Sequence, residues 1–304
     1  MAMISQNWGN LLSPRLRKAF FTGFSARPGV MEKIFNVNSS TQSSEEDLAV
    51  AGLSAWDQIE DTEAIALDRF EEIGTTEYTH EPYRKTMEIG LSLWEDKKYG
   101  LMEKWAKQMG MGAQRLVEVT SANVLNNAFT GGQTGPDGAQ LCADSHTLKK
   151  PRTGDTATAD NKGTAAFSDT ELKNAIIAMS DTAALDDAGQ KIMIKPTSLI
   201  VPPALQFTAQ TVLKSAQQSG TANNDVNSLL GQGIEIIVWP YLTSSTAWFL
   251  QDKTISELNF YWRVKPSYNQ ESKRGSRNVE SFAGRMRFSV GFSDWRGIWG
   301  STGV

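Results

Sequence analysis

A single cysteine, Cys142, and only two histidines, His80 and His146, occur in 304 residues. One cysteine excludes an intrachain disulfide, so stability must come from packing or from assembly. A Cys/His metal centre has few ligands to draw on, because no second cysteine completes a pair. Long apolar runs are missing: none approaches the roughly 20 residues that span a bilayer, so no membrane partner is expected. The opening MAMISQNWGN has neither a basic n-region nor an apolar h-region. No secretory signal is read there, and synthesis and use in a cytoplasm are expected. The glycosylation-like triplet at residues 38–40 is then irrelevant. Neither sign of charge dominates: 34 acidic against 30 basic residues give a formal net charge of -4, which implies no global affinity for nucleic acid. A G-x-S-x-G nucleophile elbow is absent, and the Gly-rich run TGGQTGPDG lacks the G-K-[ST] ending of a phosphate-binding loop. Internal repeats are absent too.

What is abundant is tryptophan. Nine of them suit a core, and also surfaces that subunits bury against one another. Along the chain, residues 1–55 lack the composition of an independent domain. Ser13-Pro14 can start a short helix with Leu16, Ala19 and Phe20 on one face, Arg15, Arg17 and Lys18 on the other, and Gly23 as its stop. Residues 36–46 are polar and Ser-rich and read as a linker. The segment is either an arm that packs on something else or a solvated leader.

Residues 56–93 have strand character. Met87, Ile89, Leu91 and Leu93 alternate with polar residues, the period of a half-buried strand. Residues 59–76 form an acidic limb carrying Glu60, Asp61, Glu63, Asp68, Glu71 and Glu72. The two limbs are expected to form an extended ribbon, the alternative being an edge hairpin of the subunit's own sheet. An isolated two-stranded ribbon is marginal in water and needs support. The acids could bind divalent cations, but a solvated face is the more usual meaning of such a cluster.

A long helix is expected over residues 96–129, with Asp96 as N-cap, Leu101, Trp105, Met109, Gly112, Leu116, Thr120, Val124 and Ala128 as its repeating face, and Gly131-Gly132 as its end. Gly110 and Gly112 would bend it or admit a close neighbour. Residues 130–169 are loop with short strands. Ser168-Asp-Thr-Glu171 is a capping box before Leu172, Ala175, Ile176 and Met179. Then come a strand at 199–201, Pro202-Pro203, a helix with Leu205, Ala209, Val212, Leu213 and Ala216 on one face, and a polar loop. Strands follow at 234–239, 247–250, 258–264 and 285–295. Residues 267–277 read as polar loop. The one catalytic or metal constellation is Cys142, Asp144 and His146 (LCADSH), which alternation on a strand would turn to one face. Against it stands a purely structural loop.

The order strand, Pro-Pro, helix, polar loop, strand, Pro-Tyr-Leu, Trp-x-Leu-x-Asp in residues 198–252 resembles the A-domain of tailed-phage major capsid proteins. SLWEDKKYGLMEKWAKQMGMGAQRLVEVTSANVLNNAF resembles the end of that family's E-loop followed by its spine helix. DGAQLCADSH resembles a family loop, with Cys142 where an aromatic residue is common. SFAGRMRFSVGFSDWRGIWGS resembles the closing strand with its Asp294-Trp-Arg-Gly297 signature. The chain thus resembles the HK97-like capsid fold, and within it Mu-type major head subunits. The resemblance implies an α+β fold: N-terminal arm (1–55), E-loop ribbon (56–93), P-domain with spine helix and following loop (94–168), A-domain (169–253), and return strands of the P-domain (254–304). It implies hexamers and pentamers in an icosahedral shell that encloses double-stranded DNA without sequence-specific binding, in a virion assembled in a bacterial cytoplasm. No cofactor and no catalysis are implied. Partners would be a separate scaffolding protein, since no long charged helical extension precedes the arm, a portal, and a maturation protease or decoration protein. Candidate contacts between subunits are Glu60, Asp61, Glu71, Glu72, Tyr83, Arg84, Lys85, Phe20 and Arg17. The same fold also serves encapsulin-like compartments, which are the nearest alternative; a metal-dependent or cysteine hydrolase on Cys142 is the remote one.

Overall fold

The computed structural model describes residues 6–50, 52–53, 56–61, 67, 72–90, 92–93, 96, 98–149, 156–217, 226–271 and 279–304. Its longest strands are the alternating ones near the C-terminus. β11 (Leu258–Glu271) pairs antiparallel with β12 (Val279–Phe292), and alternation turns Phe282, Met286, Phe288 and Phe292 inward. The stretch read as polar loop from residue 267 is therefore strand as far as Glu271. β4 (Glu81–Gly90) borders β12 and β1 (Asn36–Ser39) borders β11, giving the order β1-β11-β12-β4. β1 lies in the supposed linker. Its side chains (NVNS) are mostly exposed, so only backbone pairing makes it a strand.

The two limbs expected to form a ribbon do not pair with each other. β3 (Glu72–Thr79) pairs with β2 (Ser44–Val50), whereas the alternating limb, now β4, lies on β12. The reason is burial. Ile89 and Met87 pack against the cluster containing Phe20, Tyr268 and Phe282, so that limb must face the core. The polar limb has no such face, and the acidic segment Ser44–Val50 is its partner.

β8 (Ser198–Val201) and β9 (Glu235–Val238) run parallel, joined through a 3-10 turn at Pro203–Leu205 and a helix at Gln206–Lys214. β10 (Trp248–Gln251) lies beside β8, and β13 (Ile298–Ser301) and β7 (Lys162–Gly163) complete the order β7-β13-β10-β8-β9. The last strand, expected with the return strands of the P-domain, thus enters the five-stranded sheet, where Trp299 packs on Trp248 with ring centroids 5.1 Å apart. A helix at Asp169–Asp181 covers this sheet, capped as expected by the Ser168 hydroxyl, which accepts from the Glu171 amide.

α1 (Gln6–Phe24) begins before the expected Ser13 and carries Pro14 within it. α2 (Met31–Ile34) is a single turn, and α3 (Tyr99–Asn126) is the long helix, at 28 residues about 42 Å by its rise. Asp96 does not cap α3: Lys98 holds that position without a side-chain capping bond, and Asp96 pairs with its ammonium at 3.7 Å. The buried face of α3 differs from the expected one in its first half: Met102, Ala106 and Gly110 face inward there and Leu101 is exposed, whereas Val124 and Ala128 are buried as expected, beside Val117, Ala122 and Leu125. The cause is the crossing with α1. A Cβ on Gly110 would stand 2.0 Å from the Phe20 carbonyl oxygen, and one on Gly23 2.1 Å from that of Lys107. Two glycines let the backbones touch, and that contact sets which side of α3 is inside. Gly112 has open space and plays no such part. No described helix is long and apolar enough to cross a membrane.

Candidate functional site

Cys142, Asp144 and His146 do not converge. Residues 141–145 are not strand, so alternation does not apply to them. Cys142 is fully buried, its Sγ against Gly300, and burial pushes its thiol far above the ordinary range. Asp144 is exposed and pairs with Lys162 at 2.7 Å. His146 turns elsewhere: Nδ1 lies 2.6 Å from Asp137 Oδ2 and Nε2 3.0 Å from Asn161 Oδ1. Its ring stacks on Trp295 at 4.3 Å. Asn161 also donates to the Leu141 and Ile298 carbonyls and accepts from the Ala143 amide. Burial works to raise the Asp137 carboxyl, but the His146 bond and charge bring it below the ordinary value.

The clasp continues into the Asp-Trp-Arg-Gly turn. Arg296 Nη2 donates to Asp187 at 2.7 Å, Nη1 to both Asp294 oxygens at 3.0 and 3.2 Å, and Nε to the Leu185 carbonyl at 2.8 Å. Burial opposes the guanidinium's charge, yet Asp294 and Asp187 hold its pKa above the usual value. The Arg296 bonds tie the segment after the Asp169–Asp181 helix to the turn before β13, and the Asn161 bonds tie the loop after α3 to β13 itself. The other histidine, His80, bonds Ser289 and Ser40. Among the described residues no group of three His, Cys, Asp or Glu is placed to hold a metal.

Glu118, a residue the sequence did not single out, joins three parts of the subunit. Buried in α3, it accepts from Trp239 Nε1 at 2.9 Å and from the Met31 amide at 3.3 Å. Burial, the largest influence, holds its carboxyl above the usual glutamate range despite those donors. A raised folded-state pKa means that the stabilisation is complete below the unfolded value of about 4.3 and is lost as pH rises through the folded value. Relative to Glu118→Gln, which stays neutral, the wild-type subunit should therefore lose stability across that window and run level above it. Denaturant unfolding of both proteins from pH 4 to 8 checks this; parallel pH profiles would contradict it.

Of the candidate contact residues, four meet in one place. Phe20, Tyr83, Arg84 and Lys85 line a groove of about 580 Å³ between α3 and the β4/β12 edge. Phe20 is itself core, stacked on Tyr268 at 5.0 Å, so it serves as floor. Tyr83 stacks on Phe288 at 4.8 Å, while Arg84 and Lys85 are exposed. Arg17 lies apart from the groove, exposed over Phe21. Glu60 and Asp61 are exposed in the segment beyond β2, Glu72 begins β3, and Glu71 lies outside the described residues. The sequence reading missed Arg115 and Arg285, which face the same groove from α3 and β12. Only the fold brings them near Arg84.

Known proteins agree with this architecture. The family model described as phage capsid protein matches residues 76–301, about three quarters of the chain. No curated protein matches. Among solved structures, the procapsid of bacteriophage JBD30 superposes with TM-score 0.56 at 15% identity, covering 98% of this chain and 76% of that one. The virus-like particle from Pyrococcus furiosus gives 0.57 at 13%, covering 95% and 98%. The capsid of cyanophage P-SCSP1u gives 0.58 at 12%, covering 90% and 88%. With its four- and five-stranded sheets, long helix and clasped loop, the chain belongs to the phage capsid protein family and is a major capsid shell protein of the HK97-like α+β fold.

Proposed function

We propose that copies of this chain form hexamers and pentamers that close into an icosahedral tailed-phage head around double-stranded DNA, assembled in the bacterial cytoplasm. The observation that carries this reading is the β2–β3 ribbon, from Ser44 to Thr79. It rests on its own subunit through Tyr78, against Tyr261 and Ser293, and Gly74, against Pro136; of its strand residues only Tyr78 is buried, and Leu48 and Val50 are exposed. A two-stranded ribbon with so little core of its own needs a neighbour to hold it. Intersubunit contacts made through such a projection join unlike surfaces, and lattice closure is then the function. The ribbon of this proposal runs from residue 44, earlier than the sequence boundary at 56, because Ser44–Val50 is one of its strands. Residues 254–297 complete the unit built on the four-stranded sheet, and residues 298–304 go with the five-stranded one.

The subunit is proposed to do no catalysis: Cys142, Asp144 and His146 each serve separate packing or ionic partners. DNA would be enclosed by the shell, without base-reading contacts. A scaffolding protein, a portal and a protease or decoration protein are the proposed partners. Electron microscopy of the protein expressed with its neighbouring genes should show closed shells, and replacing residues 45–78 with a short Gly-Ser linker should leave a folded subunit that makes none. Normal shells from the deletion would sink the ribbon assignment. Nucleic acid inside purified particles separates a phage head from an encapsulin-like compartment, the nearest alternative.

A further inference from the structure

Beyond β2 the chain runs through residues that a soluble surface does not usually present. Trp56 is fully exposed, and Leu53 and Ile59 on either side are 57% and 43% exposed. A single exposed apolar residue needs no explanation. A bare tryptophan within an acidic segment is different, because covering an indole removes about 150–250 Å² from water. Two exposed carboxylates, Glu60 and Asp61, follow it closely.

The groove between α3 and the β4/β12 edge has the complementary character. Its floor is apolar, made by Phe20, Met109, Leu116 and Met286. Its rim is cationic, made by Arg84, Lys85, Arg115 and Arg285, none of which takes a carboxylate partner among the described residues. A volume of about 580 Å³ lies within the range of sites that bury a compact organic group. None of the described ribbon residues lines it. Leu48, Val50 and Ile73 line a different cleft with Asp294 and Arg296, and Gly74 lies against Pro136.

We infer that Trp56 of one copy seats in this groove of a second copy, with Glu60 and Asp61 meeting the cationic rim. The inference rests on the reading of the ribbon as an intersubunit contact and adds its anchor and its receptor. The match is one of size and of charge: an apolar knob flanked by acids, an apolar floor ringed by bases. The rim charges then set which copy is accepted and in what register, while the buried indole supplies the affinity, as aromatic anchors do in other interfaces.

The test uses the full chain and its one native thiol, which is buried. The double variant Trp56→Cys/Val119→Cys places a second thiol on the groove wall, where Val119 is 36% exposed. Mild oxidation of its shells should give a ladder of disulfide-linked chains on a non-reducing gel, absent from unassembled subunits and from the Val119→Cys single variant. Should the double variant fail to assemble, Trp56→Ala decides. It should raise the critical concentration for shell formation by about tenfold while leaving subunit melting unchanged, since Trp56 packs on none of the described residues of its own subunit. Shells without the ladder, or an unchanged critical concentration, would overturn the Trp56 anchor and leave the capsid reading standing. Failure of the parent protein to form any shell would instead bring down the capsid reading itself.

Discussion

Arg296→Ala is expected to destabilise the unassembled subunit by about 3 kcal/mol, the lower end of the cost of breaking a buried ion pair from one side. The side chains of Arg296 and Asp187 are each 11% exposed, and that of Asp294 is 27% exposed, which is why the lower end applies. Removing the guanidinium leaves both carboxylates with no cation close by and frees the Leu185 carbonyl, which Nε satisfies at 2.8 Å. It also strips the cation 4.9 Å from Trp295, the ring that stacks on His146. Lysine is no substitute, because one ammonium cannot serve two carboxylates and a carbonyl in a planar fork. Denaturant unfolding of the purified subunit measures the loss. Asp187→Asn/Asp294→Asn/Arg296→Met, which removes the charges together, should recover much of it, and a triple variant as unstable as Arg296→Ala would mean that packing, rather than uncompensated charge, is the cause.

Gly110→Ala and Gly112→Ala, two residues apart on one helix, are expected to act in opposite directions. The added methyl at 110 would sit 2.0 Å from the Phe20 carbonyl oxygen and 2.8 Å from the Phe24 amide nitrogen. Both are backbone, so α1 must move off α3 as a body, at a cost of about 1–3 kcal/mol or more. At 112 nothing lies within 4 Å. There alanine gains helix propensity and should stabilise by up to about 1 kcal/mol. Thermal melting reads both signs, and limited proteolysis reads the location, because only Gly110→Ala should expose the α1 segment. Equal effects would show that the α1–α3 crossing is looser than its geometry implies.

Much of the architecture was legible in the residues. The Ser168 capping box, the Pro-Pro helix start and the burial of Ala209, Val212 and Leu213 follow from spacing that local physics enforces. The alternation of Met286, Phe288 and Phe292 was visible for the same reason. What stayed hidden depends on partners far away in sequence. β1 has no apolar face, so nothing in Asn36–Ser39 announces that it lies along β11. The first half of the α3 face was misjudged by one residue because a helix shows several apolar stripes, and the glycine contact with α1 chooses among them. The pairing of the ribbon was misread because polar strands carry no register signal of their own.

The candidate site divides in the same way. The sequence by itself determined that Cys142 has no second cysteine to pair with as a ligand, that the chain has an acidic limb, and that an aromatic and two bases, Tyr83, Arg84 and Lys85, stand side by side along the chain. Those are matters of composition and neighbourhood along the chain. Only the tertiary structure decided that His146 turns to Asp137 and Trp295, that Glu118 joins α2 to Trp239, and that Arg84, Lys85, Arg115 and Arg285 ring one groove. Those groupings join residues more than 200 positions apart, Arg84 with Arg285 and Met31 with Trp239, and only packing brings such residues within reach.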